Sequence, residues 1–358
     1  MKTQIQTATS PSRRPQLVRA IALCSLPVAL VAASPYSPFD AAPTLSPAEG
    51  HTVRRAFTQT ATLEATSVEL FQNEETRDME ASLSQSMEEE LVVVDEFVTV
   101  EEGRVLALRR EFTDLSRDLL NTSDGVDYDE TEESGLAGET VLFEWDEDEQ
   151  EWAVSFDDDD SDADEDLLEG LVFDMDMALL LPDEEIAVDD SWTFEGEGLR
   201  WLISPGGDLS WVSSEDEASD LDALIDEAGD DMWDNMDGGF TMTYVGPEET
   251  DEGRFAVFTI EAELEGAGES LEELEEVDGE RFVKDTFVFE GEGEMRWDLD
   301  AGRLASATLE GSLGVSRSIG FETETPDGED FVGGQTITLE GTMTQTMTVE
   351  TYESSDDE

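Results

Sequence analysis

With 93 acidic residues against 18 Lys plus Arg in 358 positions, the chain carries a formal net charge of −75, which excludes nucleic acid and anionic membrane surfaces as partners because both are held through Lys and Arg. A hydrophobic content of 38% is enough for a large core and excludes disorder throughout. Self-repulsion at such a charge weakens as the Debye length falls from about 30 Å at 0.01 M salt to about 3 Å at 1 M, so the fold is expected to gain stability with salt.

Lys2, Arg13, Arg14 and Arg19 precede or begin an uncharged run, residues 20–33, that ends Val31-Ala32-Ala33. This is the pattern of a secretory signal peptide cleaved after Ala33; a membrane-spanning helix needs about 20 apolar residues and would not carry Pro27. Residues 1–33 hold four positive charges and no acid, so cleavage takes the net charge from −75 to −79. Cys24 lies in this run, and the exported chain would contain neither cysteine nor disulfide. The expected destination is the periplasm or the extracellular space. Residues 34–50, with Pro35, Pro38, Pro43 and Pro47, read as an extended linker, 51–352 as a single β-rich domain with two similar halves, and 353–358 as an acidic tail.

Within residues 52–71, Phe57, Ala61, Leu63 and Ala65 share one face, and Val68 and Leu70 then take the opposite parity. A one-residue phase change predicts a bulge, and a strand of this length is expected to curve or break. Residues 79–101 and 104–115 are predicted to pair next, and 116–138 reads as a polar surface loop with a turn at Ser123-Asp124-Gly125. Residues 141–145 and 152–156 form a predicted hairpin. Leu167, Leu168, Leu171, Val172, Met175 and Leu179 fall at helical spacing and predict a helix over 167–181, stopped by Pro182.

Residues 181–201 have a near copy at 287–300: each sets alternating large apolar residues ahead of a Gly-x-Gly and an aromatic after it, and Gly196 and Gly198 predict a bend. Residues 214–236 predict a second helix with Leu221, Leu224, Ile225, Met232 and Trp233 in one stripe. Alternation over 240–264 gives further strands, the acidic stretch 265–279 reads as an interruption, and 287–299, 305–321 and 337–349 form a meander. The predicted fold class is mainly β with α+β character: a long-stranded curved antiparallel sheet or half-barrel meander with about two covering helices.

His51 is the single histidine, which excludes His-dependent nucleophilic triads and His/Cys zinc sites. Gly196-x-Gly198 and Gly291-x-Gly293 lack the third glycine of a phosphate-cradling loop and lie in strands. Carboxylate pairs of the glycosidase kind are so abundant by composition that they carry no signal. Asp158, Asp160, Asp162, Asp164 and Glu169 occupy the first, third, fifth, seventh and twelfth positions of a calcium loop, but Ala163 stands where its glycine belongs, so weak adventitious calcium binding is expected and no cofactor. Trp192, Phe194, Trp201, Phe289, Met295, Trp297 and Met343 compose an apolar face, which is core where helices cover it and a pocket for a lipid-like ligand where the sheet stays open.

Within residues 182–192, the set Val188, Asp190, Ser191 and Trp192 resembles a recurring segment of uncharacterised exported bacterial proteins of similar β-rich pattern, in which a glycine usually stands at the position of Asp189. The resemblance implies a fold and carries over no functional residues. The expected function is therefore that of an exported, non-catalytic envelope protein, binding an apolar ligand or a partner on its curved sheet. The alternative is a structural or cation-buffering acidic surface protein.

Overall fold

The computed structural model describes residues 43–351 apart from 74, 159, 160, 162, 183–184, 196–201, 214–219, 275–278 and 325–329. The predicted signal peptide, residues 34–42 of the predicted linker, the acidic tail and the bend at Gly196 and Gly198 lie outside the described residues. In chain order the strands are β1 (Thr52–Gln72), β2 (Glu75–Asp78), β3 (Leu83–Glu101), β4 (Arg104–Ser123), β5 (Val126–Ser134), β6 (Thr140–Asp146), β7 (Glu151–Phe156), β8 (Ser191–Glu195), β9 (Trp211–Ser213), β10 (Asp237–Thr250), β11 (Gly253–Glu273), β12 (Gly279–Asp298), β13 (Arg303–Glu324) and β14 (Asp330–Thr351). One α-helix among the described residues, α1 (Asp220–Asp234), lies between β9 and β10.

These strands make one antiparallel, curved sheet, not closed into a barrel, in the order β7-β6-β4-β3-β1-β14-β13-β12-β11-β10-β8, with β2 beside β1, and β5 joining β4 to β9. β1 and β14 pair in the middle, so the sheet grows outward from them in both directions. β7 and β8 are neighbours in sequence yet sit at opposite edges. The chain between them must therefore cross a sheet face, and two later segments cover the same face. Residues 157–190 run from β7 to β8, residues 202–213 return to pair with β5 through β9, and α1 lies back over β11 and β12 before β10 begins. The face they cover, the concave one, holds the core: Phe57, Leu91, Phe112, Phe258, Phe289, Met295 and Trp297 are all buried there.

Strands of 21 and 22 residues, β1, β11, β13 and β14, would extend for roughly 70 Å. β1 does not break. Its pairing with β14 slips between Ala65 and Ser67, which leaves Thr66 as the bulge at the predicted phase change.

Three sequence expectations are corrected. The predicted loop 116–138 is the end of β4 and all of β5, joined by Asp124 (φ 49°) and Gly125 (φ 81°) in the left-handed pair that a two-residue hairpin turn requires. Polar residues on both faces hid these strands. The predicted interruption at 265–279 is β11 running on to Glu273, with Gly266, Gly268 and Ser270 inward. A Cβ on Gly268 would stand 2.1 Å from the Ala228 carbonyl oxygen, so the small residues that erase the apolar alternation are those on which α1 rests.

The predicted helix over 167–181 is instead an extended crossing with two 3-10 turns, Glu165–Leu168 and Ala178–Leu180. Gly170 (φ 74°) and Met177 (φ 54°) are left-handed, and the Asp174 carboxylate accepts the N–H groups of Asp176, Ala178 and Leu179 in place of helical carbonyls. Residues 43–50, within the predicted linker, lie on the domain: the Ser46 N–H donates to the Gly302 carbonyl at 2.8 Å and Leu45 packs against the core.

The outer face is acidic across strands. Glu292 of β12 stands directly between Glu261 of β11 and Glu310 of β13. Like charges directly opposed destabilise a sheet, and each opposite-charge pair contributes roughly 0.2–1 kcal/mol. Glu292→Lys should therefore raise the melting temperature in 0.05 M NaCl and flatten its rise with salt, measured by circular dichroism from 0.05 to 2 M. An unchanged salt slope would show that these rows do not set it.

Candidate functional site

The concave face carries two unusual features: a buried set of charges and an open cleft. Arg55 of β1, Asp95 of β3 and Arg110 of β4 occupy inward positions in otherwise apolar phase, next to Phe57, Phe97 and Phe112, and all three are essentially without solvent exposure. Arg110 Nε and Nη2 donate to the two oxygens of Asp95 at 2.8 and 2.9 Å, while its Nη1 and Nη2 also donate to the carbonyls of Val172 and Phe173 at 2.9 and 3.0 Å. Arg55 pairs with Asp95 and, at 2.5 Å, with Asp176. Sheet and first crossing are thus riveted together by charge. Arg303 of β13, also buried, belongs to the same group and donates through Nη2 to Thr351.

Burial pushes the Asp95 carboxyl up, but Arg110 and Arg55 outweigh it and hold that group below the ordinary aspartate range. Burial lowers Arg55, and Asp176 and Asp95 outweigh that, raising it. Asp174 has no such partner: burial first, then neighbouring Asp176, push its carboxyl up despite the three backbone N–H groups. Burial likewise lowers Arg303.

The return crossing is held by amides. Gln59 of β1 and Gln345 of β14 face each other in register, and their Nε2 groups donate to the carbonyls of Ile203 at 3.2 Å and Leu202 at 3.1 Å. Ser134 Oγ donates to the Leu209 carbonyl, and Leu171 bridges to Gly207, tying the first two crossings to each other.

Between the return crossing and α1 the cover is incomplete, leaving a cleft of about 720 Å³. Its floor is Ala61, Met87, Phe287, Leu313, Val315 and Met343 from five strands. One wall is Ile203 to Trp211, and the other is Ile225, Gly229, Met232 and Trp233 of α1. Arg117 and Arg317 also line it: Arg117 is paired with Glu89 and Glu132 and lies 4.5 Å from the Trp211 ring centre, and Arg317 grips Asp285 with two bonds of 2.9 and 2.7 Å. The volume lies within the range of small-molecule sites, as does the mixture of an apolar bed with a few polar groups.

Gly229 sets the shape of that cleft. It lies within α1, where glycine costs about 1 kcal/mol relative to alanine, and a Cβ there would meet no atom within 4 Å. Neither close packing nor positive φ accounts for it, so the missing side chain leaves open space in the cleft.

Of the seven predicted ligand-binding residues, Met343 lines the cleft. Phe289, Met295 and Trp297 are buried in the core, Phe194 packs against it opposite Phe240, and Trp192 donates its indole N–H to the Leu180 carbonyl at 2.9 Å. Trp201 lies outside the described residues. Of the predicted calcium ligands, Asp160 and Asp162 also lie outside them, Asp164 accepts the Asp166 N–H as the cap of the first 3-10 turn, Glu169 ends that turn, and Asp158 precedes it. Among the described residues no group of three or more His, Cys, Asp or Glu is arranged to hold a metal ion. Sequence reasoning passed over Arg55, Asp95, Arg110, Arg117 and Gly229. The signal was present as charged residues in an apolar phase and a glycine inside a helical pattern.

No protein-family description matches the chain, and no curated protein does. Among solved structures, the secretin-domain β-barrel of InvG from the Salmonella SPI-1 injectisome aligns at 6% identity over 86% of this chain and 65% of that one, with a TM-score of 0.14. A mutant of the Rh. blastica porin aligns at 9% identity over 82% of this chain and 99% of that one, also at 0.14. Likeness at that level leaves fold and role to be read from the residues themselves.

Two outcomes test the buried charges. Arg110→Met leaves Asp95 with Arg55 alone and frees the carbonyls of the first crossing, and should cost about 3–5 kcal/mol in denaturant unfolding at fixed salt; a loss below about 1 kcal/mol would refute the anchoring role. Asp174 is raised in the fold, so its favourable contribution is complete below the ordinary aspartate value of 3.8 and is lost as pH rises through the folded value. Asp95 is lowered, so its contribution is present above 3.8 and is lost only as pH falls through its folded value. Between pH 7 and 4, Asp174→Asn should therefore gain less stability on acidification than the parent chain; parallel profiles would contradict the assignment.

Proposed function

We propose that the protein is exported and non-catalytic, and that it holds an apolar-bodied ligand in the concave cleft between the return crossing and α1. The observation that carries this reading is Gly229, a helix-weakening residue that meets nothing and leaves the cleft open. Three methionines, Met87, Met232 and Met343, line the same space, and their unbranched, polarizable side chains adapt to an apolar partner of irregular shape. Two tryptophans at the walls, Trp211 and Trp233, supply large surfaces with a polar edge. Export is supported by the leader-like pattern of residues 1–33.

Gly229→Trp tests this directly. The substitution removes a helix-weakening glycine and projects an indole into the cleft, so the variant should be no less stable in heat. The parent chain should take up one equivalent of the uncharged fluorophore N-phenyl-1-naphthylamine, and Gly229→Trp should weaken that uptake at least about 10-fold. Equal affinity in the two proteins would overturn the reading. Native mass spectrometry of protein drawn from its export compartment would then report the natural occupant as added mass lost on organic extraction.

A further inference from the structure

Given that the cleft is a binding site, we propose that its occupant is a single unbranched hydrocarbon chain laid at full length across the strands, and not a fused-ring molecule of similar carbon number. The shape of the apolar floor carries this. Met87 of β3 and Met343 of β14 both stand in register with Ala61 of β1, which lies between them. Leu313 and Val315 continue the floor on β13, beside β14, and Val315 is in register with Phe287 of β12. The apolar track is therefore five strands long. Val315 lies four residues beyond Gly311, the partner of Met343. With strands about 4.8 Å apart and about 3.3 Å per residue along them, the track measures roughly 20 Å.

It is also narrow. β3, β1, β14 and β12 each give it one apolar side chain, and further residues of the same strands that line the cleft are polar: Glu89 two positions from Met87, Gln59 two from Ala61 and Arg317 two from Val315. All three are committed to partners inside the protein, Glu89 to Arg117, Gln59 to the Ile203 carbonyl and Arg317 to Asp285. An apolar ligand wider than one side chain would lie over these groups and take water from them without supplying a hydrogen bond. An unbranched chain stays between them. At the β12 end of the track the Trp233 ring stands 5.2 Å from that of Phe287, and at the β3 end Trp211 lies 4.5 Å from the guanidinium of Arg117, the partner of Glu89.

The test measures displacement of bound N-phenyl-1-naphthylamine by the series from octyl to octadecyl maltoside, each below its micelle concentration, and by androstanediol, an uncharged fused-ring alcohol. Affinity for the parent chain should rise roughly 3–4-fold per added methylene and level off once the extended chain spans the track, at about sixteen carbons. Met87→Trp raises one end of the floor and should bring the levelling point forward by one strand spacing, or about four carbons, with octyl maltoside bound as in the parent. Gly229→Trp should weaken the whole series. Androstanediol binding as tightly as hexadecyl maltoside, a levelling point that Met87→Trp leaves in place, or maltosides that fail to displace the fluorophore would each overturn the inference while leaving the cleft as a site. Maltoside binding that survives Gly229→Trp would place the chain outside the cleft and overturn it as well. A parent chain that takes up no N-phenyl-1-naphthylamine would instead overturn the binding reading on which the inference rests.

Discussion

Arg55 lies where the central strand of the sheet meets the chain that crosses it, and the rest of the interior is arranged around that meeting. Fully buried charges are tolerated only when paired and hydrogen-bonded, because removal from water costs several kcal/mol per ion. Here Asp95 takes both arginines, Arg110 also takes two carbonyls of the crossing, and Asp176 brings the crossing's own charge to Arg55. An apolar substitute of equal volume could fill the space. It could not fix which residues of the crossing lie over β4 and which over β1, since apolar contact is non-directional and a bidentate pair is not.

The need for such a rivet follows from topology. A sheet begun at its middle, with β1 and β14 paired, ends in two edges, and consecutive β7 and β8 occupy both of them. The segment between them, the return from β8 to β9 and α1 together cover the concave face, held by side chains from the sheet: arginines for the first pass, the Gln59 and Gln345 amides for the second, and close approach for the third. Gly266 and Gly268 are small because a helix lies against them, and Gly170 and Gly207 because two crossings touch there. The cover consequently differs in density. It is tight at the buried Arg55, Asp95 and Arg110 and where α1 meets Gly266 and Gly268, and it is open between the second and third passes.

Long alternating segments were readable as strands, down to the bulge at Thr66, because burial on one face imposes a period of two that sequence shows directly. The end of β11 and the strand β5 were not readable: small residues under a helix, or polar residues on both faces, erase that period. The first crossing imitates a helix because its apolar residues must reach a concave surface at irregular intervals, and 3.6-residue spacing is met by accident. What marks it as non-helical is local, namely Gly170 and the two aspartates, Asp174 and Asp176, whose carboxylates turn inward. Of the residues predicted to bind a ligand, Met343 alone lines the candidate site, since a cleft made by two passes of chain over five strands has no spacing of its own in sequence.

Acidity and cleft are connected through the distribution of the few positive charges. Arg55, Arg110, Arg117 and Arg317 on the inward face are paired with carboxylates and Arg303 donates to Thr351, while glutamates of the outer face stand opposite one another. A net charge of −75 repels anions and attracts cations at long range. Salt shortens that range to a few ångströms. Salt therefore acts on the acidic exterior, while the paired charges under the cover are screened much less.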